Sequence, residues 1–247
     1  MKNTKVISLM IIFSTILVLS SGCKNAPYVK NETSPDSQTA VVTDQENTPE
    51  EKAATEVEKA ELSHTYTTRF GEINAVTAPA FSFDYPDGWD IIKEDVTQTS
   101  EWVTLSNERG VSIDFINLHQ NNIGGGSAVL YSELEVSKVA DSEFVPGYVQ
   151  AEDYSNLGKF MVAELKEIGT MDTTSDSDFI PVENGAVSYA VLPESSAGEQ
   201  IVNSAYYMDL AFMYPTSVMF VASAPDGQFT QQEKADAIAI LSSFRAE

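Results

Sequence analysis

The sequence predicts an α+β fold, in which an antiparallel sheet is flanked by helices. Downstream of residue 63, short segments rich in β-branched and aromatic residues alternate with turn signals. Two long apolar segments, separated by Pro215, are typical of the buried centre of an antiparallel sheet. Apolar residues at helical spacing occur in two further places. The pattern covers enough residues for one domain with one core.

Most of the predicted strands adjoin turns of recognisable chemistry. FSFDYP and DIIKEDV flank a short turn in which Gly88 permits tight geometry. EWVTLS and VSIDFINL flank NERG, and GAVSYAVL follows an Asn-Gly turn signal that ends at Gly185. Residues 127–139, SAVLYSELEVSKV, fit neither period well, but their valines and tyrosine favour a strand. The long segments AYYMDLAFMY and TSVMFVASA complete the predicted sheet.

Two helices are predicted from the spacing of apolar residues. The first begins near Asp153, and its apolar face consists of Leu157, Phe160, Met161, Leu165 and Ile168. The second is C-terminal and begins with a capping box of Thr230 and Glu233. Its apolar stripe consists of Ala237, Ile238, Leu241 and Phe244. Both stripes are interpreted as core and not as binding grooves.

The N-terminus has the three-part layout of a secretory signal peptide over residues 1–22. Its apolar run, VISLMIIFSTILVL, has fourteen residues. Because a bilayer-spanning helix needs about 20, a permanent transmembrane anchor is rejected. Small residues then lead into Cys23, the single cysteine of the chain.

This arrangement resembles the bacterial lipobox, although Ser20 stands where that family usually has leucine. The resemblance implies that Cys23 is diacylated, becomes the new N-terminus and anchors the protein on the extracytoplasmic face of the cell membrane. An unpaired exposed thiol is a liability in an oxidising compartment, which favours acylation. The alternative is a conventionally cleaved secreted protein with a free thiol.

Residues 23–63 are predicted to form an acidic tether, and residues 64–247 a single domain. The tether is rich in Thr, Glu, Ser, Pro and Asn, and its apolar residues are too scattered to form a core. A flexible segment of this length reaches roughly a few tens of Å, which would lift the domain off the membrane.

The strand ending FSFDYPDGW and the closing helix ending AIAILSSF resemble the PsbP-like group, named after an extrinsic subunit of the photosynthetic oxygen-evolving complex. The resemblance covers the chain from Phe81 to Phe244. It implies a curved antiparallel sheet with helices packed on it, an alpha/beta sandwich. It also implies an accessory or binding role, because a fold of this kind does not fix an activity.

Charge and catalytic motifs exclude several functions. The formal charge of −23 repels nucleic acid, so DNA and RNA partners are excluded. The two histidines, His64 and His119, have no metal-ligand spacing, and the sequence contains no Gly-x-Ser-x-Gly elbow. IGGGSA lacks the lysine that follows in a phosphate-binding loop. The sequence therefore predicts that the protein is not an enzyme and has no catalytic residues.

One constellation resembles a metal site. Within DTTSDSDFIPVE, oxygen-bearing residues occupy positions 1, 3, 5, 7 and 12 of an EF-hand calcium loop, namely Asp172, Thr174, Asp176, Asp178 and Glu183. A predicted helix precedes the loop, but Ser177 replaces the glycine that the turn requires. A polar loop between a helix and a strand explains the same residues.

The sequence thus predicts a membrane-tethered extracytoplasmic lipoprotein that acts as a non-enzymatic binding or accessory module without a cofactor. Its partners would be the membrane, through the lipid on Cys23, and a protein or small ligand whose identity stays open. The alternative is a calcium-dependent adhesion or structural protein of the cell envelope that uses Asp172 to Glu183. A transporter receptor is disfavoured because the domain lacks the length for two lobes.

Overall fold

A computed structural model of the chain describes residues 60–70, 78–119, 130–174, 178–204 and 208–247. The strands in these ranges are β1 (Leu62–Thr67), β2 (Phe81–Pro86), β3 (Trp89–Val96), β4 (Ser100–Asn107), β5 (Ser112–Leu118), β6 (Leu130–Asp141), β7 (Tyr148–Val149), β8 (Glu152–Asp153), β9 (Phe160–Asp172), β10 (Ile180–Pro181), β11 (Val187–Pro193), β12 (Gln200–Ser204), β13 (Phe212–Tyr214), β14 (Thr216–Ser223) and β15 (Arg245–Ala246). Helix α1 spans Gln231–Ser242, and short 3-10 turns occupy Ser155–Leu157, Glu194–Ser196 and Met208–Leu210.

The strands form one large sheet, one small sheet and a hairpin. The large sheet has ten strands, in the order β12-β6-β9-β11-β14-β5-β4-β3, with β10 beside β9 and β13 beside β14. The small sheet has the order β1-β2-β15, and β7 pairs with β8. All of these pairings are antiparallel.

The main core contains residues of the large sheet, the small sheet and helix α1. It is rich in phenylalanine rings: Phe81 stacks on Phe244 at 5.2 Å between ring centroids, and Phe83 lies 4.8 Å from Phe220. The opposite face of the large sheet is also buried, with Met161, Leu165 and other apolar residues in a second cluster. The central strands are therefore apolar on both faces.

The predicted fold class is wrong, because the described residues are mostly antiparallel strand and contain a single complete α-helix. The helix predicted from Asp153 onward is strand β9. Phe160 and Val162 belong to the main core, whereas Met161 and Leu165 face the second cluster. Residues four apart share a face in a strand as well as in a helix, so this spacing did not distinguish the two.

The other predicted elements agree largely with the structure. The strands around Gly88 and NERG, the strand before residue 193 and the strand over residues 127–139 correspond to β2 to β6 and β11. TSVMFVASA forms β14 between β11 and β5, as predicted for the centre of the sheet. The long strand predicted over residues 205–214 is wrong within its described part, because Met208–Leu210 is a 3-10 turn and only Phe212–Tyr214 is extended.

The C-terminal helix is confirmed, and its N-terminus is tied to the large sheet. Thr230 and Glu233 form the predicted capping box. Arg109, in the turn after β4, donates to Glu233 Oε1 at 2.7 Å and to Asp226 Oδ2 at 3.0 Å. The hydrogen bond from Arg109 lowers the pKa of Glu233 to about 2. The helix start is therefore fixed by a charge-assisted contact as well as by its cap.

The Asn-Gly turn before β11 requires glycine for a steric reason. A Cβ atom on Gly185 would lie 1.9 Å from the carbonyl oxygen of Glu167 in β9. The backbones approach this closely because the Glu167 N–H donates to the Ala186 carbonyl at 2.9 Å. Glycine here allows a close backbone approach.

We expect Gly185→Ala to destabilise the domain by about 1–3 kcal/mol, because the added methyl group must displace the β9 backbone. Urea unfolding followed by circular dichroism measures the change. Gly147→Ala is the matched control, since a Cβ atom there meets nothing within 4 Å. Equal stability of the two variants would contradict the close approach of β9 to Gly185.

Candidate functional site

A row of polar side chains interrupts the apolar face of the large sheet at the end of β5. We call Glu101, Asn117 and His119 the polar strip. Glu101 in β4 pairs with Asn117 in β5. His119 lies two residues beyond Asn117, and its N–H donates to the Thr99 carbonyl at 2.9 Å. Because residues two apart on a strand share a face, these three side chains lie on the main-core side of the sheet.

Glu101 is fully buried and holds the chain that leaves β1. Its carboxyl oxygens accept hydrogen bonds from the backbone N–H groups of Arg69 at 3.0 Å and Phe70 at 2.8 Å. The Tyr66 hydroxyl lies 2.9 Å from Glu101 Oε1 and 2.8 Å from Glu94 Oε1. Arg69 Nη2 lies 2.7 Å from the same Glu94 oxygen. The buried carboxyl group thus joins β1, β3 and β4.

One hydroxyl hydrogen cannot satisfy two carboxylates at once. Burial raises the pKa of Glu101. The Tyr66 hydroxyl therefore donates to one of the two carboxyl groups at a time, and Arg69 balances the charge of Glu94. Burial, followed by the hydrogen bond to Glu94, also raises the pKa of Tyr66. Tyr66 therefore stays protonated between the carboxyl groups of Glu94 and Glu101.

Asn117 is fully buried, and neither of its amide atoms has a hydrogen-bond partner among the described residues. It pairs with Val218 on one side and with Glu101 on the other. For comparison, buried Asn203 donates through Nδ2 to the Ser204 carbonyl and leaves only Oδ1 without a partner. A wholly unpartnered buried amide costs about 1–3 kcal/mol, and native structures rarely retain one without a water or ligand.

A cleft opens at the outer end of the polar strip. We call it the His119 cleft; it has a volume of about 220 Å³ and is lined by His119, Val149, Gln150, Glu152, Tyr154, Pro215 and Thr216. Val218 in β14 pairs with Asn117 in β5. Thr216 and His119 each lie two residues farther toward the edge of the core along these strands, so they are on the same face as Asn117. The amide of Asn117 therefore lies on the same face as the cleft, two residues farther into the sheet than His119.

The outer wall of the cleft is the β7–β8 hairpin, whose turn has an uncommon backbone. Gln150 and Ala151 are the two turn residues, with φ of 51° and 72°. Both values lie in the left-handed region, where hairpin turns usually have Asn or Gly. Such strain costs about 1–3 kcal/mol per residue and is concentrated at functional sites. This turn places Gln150 and Glu152 on the cleft.

Tyr154 and Glu152 form a polar contact in the cleft. The Tyr154 hydroxyl donates to Glu152 Oε2 at 2.7 Å. Burial and this hydrogen bond raise the pKa of Tyr154 to about 12, so the hydroxyl stays protonated at neutral pH. The Tyr154 ring packs edge-on against Tyr214 at 5.1 Å. The hydroxyl hydrogen is consequently directed at Glu152.

The structure separates the residues of the predicted calcium loop. Asp172 ends a strand and not a helix, and its Oδ1 accepts from the N–H of Thr174 at 2.8 Å. Pro181 pairs with Gly169 in antiparallel register, so exposed Glu183 lies beside Glu167 in β9. Asp172 and Glu183 are thus about five residues apart along the sheet, roughly 16 Å, too far to share one ion.

Asp176 lies outside the described residues, and Asp178 is exposed. Among the described residues, no group of three or more His, Cys, Asp or Glu side chains could hold a metal ion. The calcium-binding alternative stays a prediction without support from the described ligands. Cys23 and residues 23–59 of the tether also lie outside the described residues.

The polar strip and its neighbours were not predicted as a site. The sequence gives His119 no metal-ligand partner, and His64 lies elsewhere, with Nε2 2.6 Å from Asp87 Oδ1 at an exposed position. A signal for Asn117 did exist: Ile113, Phe115 and Asn117 alternate on the apolar face of one strand. Glu152 and Tyr154 reach the cleft through tertiary contacts that no local pattern encodes.

The described part of the chain contains no helix long and apolar enough to cross a membrane. The chain matches no protein-family model, no curated protein and no solved structure. The resemblance to the PsbP-like group therefore stays a prediction. The helix-flanked sandwich that it implied is wrong, because the described residues are mostly antiparallel strand.

We expect the stability contribution of Glu101 to fall as the pH rises. A carboxyl group whose pKa is raised in the folded state stabilises the fold fully below its ordinary pKa, and this contribution is lost as the pH rises through the folded pKa. The wild type should therefore lose stability relative to Glu101→Gln in urea unfolding as the pH rises from below 4.5 toward neutral. Glu108→Gln, at an exposed turn, serves as the control. A pH-independent difference would show that the fold does not raise the pKa of Glu101.

Proposed function

We propose that the protein is a membrane-tethered extracytoplasmic lipoprotein that acts as a non-enzymatic binding module, with the His119 cleft as its binding site. The observation that carries the binding role is the buried amide of Asn117, which has no hydrogen-bond partner among the described residues and lies two residues along the sheet from the cleft. A ligand or a bound water that reaches the amide would remove the cost of leaving it unpaired. Retention of such a group is typical of function maintained at the expense of stability.

Binding is favoured over catalysis by the contacts in the cleft. The Thr216 hydroxyl donates to the Tyr214 carbonyl at 3.4 Å and not to a base. Glu152 accepts from Tyr154, whose raised pKa of about 12 keeps the hydroxyl protonated at neutral pH, so this pair is not an activated nucleophile. The groups of the cleft are suited to hold a ligand in place.

The N-terminal sequence supports an extracytoplasmic location on the membrane. The signal-like residues 1–22, the cysteine that follows them and the acidic tether favour attachment by a lipid on Cys23. The negative surface repels anionic headgroups, which favours a domain held away from the membrane.

We expect Cys23→Ser to move the protein from the membrane fraction to the soluble fraction, because two acyl chains give an attachment that a serine cannot replace. Fractionation of expressing cells, followed by immunoblotting, measures this change, and near-ultraviolet circular dichroism checks that the fold is retained. If the processed serine variant stays in the detergent-extractable membrane fraction, the lipid anchor is wrong.

We expect Asn117→Leu to stabilise the unliganded protein by about 1 kcal/mol, because a side chain of similar size replaces an unpaired amide in an apolar site. Thermal unfolding measures the shift. Asn107→Leu is the matched control and should destabilise, since Asn107 donates to Glu233 and accepts from the Val111 N–H. A loss of stability in Asn117→Leu would mean that the amide has a structural partner, and the binding site proposed here would be wrong.

A further inference from the structure

We propose that the ligand of the His119 cleft carries an ammonium or guanidinium group. This inference rests on the proposed function and specifies the chemistry of the same site. It follows from the hydrogen-bond donors and acceptors that the lining residues leave available, and from the charge around them.

The hydroxyl donors of the cleft are used internally. The Tyr154 hydroxyl hydrogen is directed at Glu152 Oε2, and the Thr216 hydroxyl donates to the Tyr214 carbonyl. Their oxygen lone pairs remain as acceptors. Glu152 Oε1 accepts no hydrogen bond from the described residues. These acceptors, among them the Glu152 carboxylate, match a ligand group that only donates, as ammonium and guanidinium do, while the Gln150 amide and the His119 ring also carry donors.

The charge of the cleft favours the same group. Glu152 is a carboxylate, and the described lining contains no lysine or arginine. The chain as a whole carries a formal charge of −23, which attracts cations and repels anions. The Tyr154 ring, held against Tyr214, adds an aromatic surface to which cations are attracted.

The depth and size of the cleft limit the ligand. Asn117, two residues along β5 from His119, adds both an acceptor, Oδ1, and a donor, Nδ2, that have no hydrogen-bond partner among the described residues. A volume of about 220 Å³ is smaller than the roughly 300–1,000 Å³ of sites for drug-sized ligands. It suits a short aliphatic amine, either as a free molecule or as the end of a basic side chain on a polypeptide.

The test is isothermal titration of the detergent-solubilised full-length protein at pH 8 and low salt. The probes are n-butylammonium chloride, the neutral 1-butanol, sodium butyrate and the capped tripeptide acetyl-Ala-Lys-Ala-amide. We expect the ammonium probes to bind and the alcohol and the carboxylate to bind at least about 10-fold more weakly, because they lack the charge-assisted hydrogen bond. Stronger binding of the tripeptide indicates a polypeptide side chain as the source of the group, and stronger binding of butylammonium indicates a free amine.

Two variants locate the interaction. Glu152→Gln keeps the size of the side chain and should weaken ammonium binding about 10-fold or more. Glu108→Gln removes the same charge from the turn at the other end of β5 and should leave the affinity within about twofold, since a distant exposed charge is screened. Equal binding of butanol and butylammonium, or equal effects of the two variants, would overturn the inference.

The outcome for the ligand class is separable from the outcome for the site. If Asn117→Leu stabilises the protein as expected and no ammonium probe binds, the ligand class is wrong and the binding site stands. If Asn117→Leu destabilises the protein, the site itself is wrong.

Discussion

Burial of the central strands on both faces is the constraint on which the rest of the structure depends. In β9, neighbouring residues Met161 and Val162 point to opposite faces and are both fully buried. Helix α1 and the small sheet contribute to the core on one face, and a second apolar cluster fills the other. A polar side chain on such a strand is unfavourable unless it finds a partner. Glu101 and Asn117 are two such buried polar side chains, and their hydrogen bonding determines whether each stabilises or destabilises the fold.

Glu101 and Asn117 are paired on the same buried face, but of their two side chains only that of Glu101 has hydrogen-bond partners among the described residues. Glu101 is surrounded by two backbone N–H groups and a tyrosine hydroxyl, so it fastens β1 to the large sheet. Asn117, the residue paired with it, has no such partners. A rigid sheet holds the amide in place, while a strained two-residue hairpin turn forms the opposite wall of the cleft. The arrangement resembles a preorganised site, in which the fold already fixes the binding groups and little conformational entropy is lost on binding.

Local signals predicted those parts of the fold that are determined locally. Turn residues located β2 to β5 and β11, and the capping box located α1, because glycine conformations and cap hydrogen bonds act within a few residues. The spacing of Met161 and Leu165 suits a strand face and a helix face equally, so β9 was mistaken for a helix. The candidate site brings together residues from β5, β8 and β14, whose proximity depends on sheet order and not on any local pattern.

The small sheet joins distant parts of the chain. Ala246 in β15 pairs with Phe81 in β2, and Arg245 Nη1 lies 3.0 Å from Asp84 Oδ2. The small sheet therefore cannot close until nearly the whole domain has been synthesised, and contacts of such high sequence separation form slowly. For a chain exported as proposed, this delay favours the unfolded, translocation-competent state during passage across the membrane. The same pairing then fastens the two ends of the domain together on the far side.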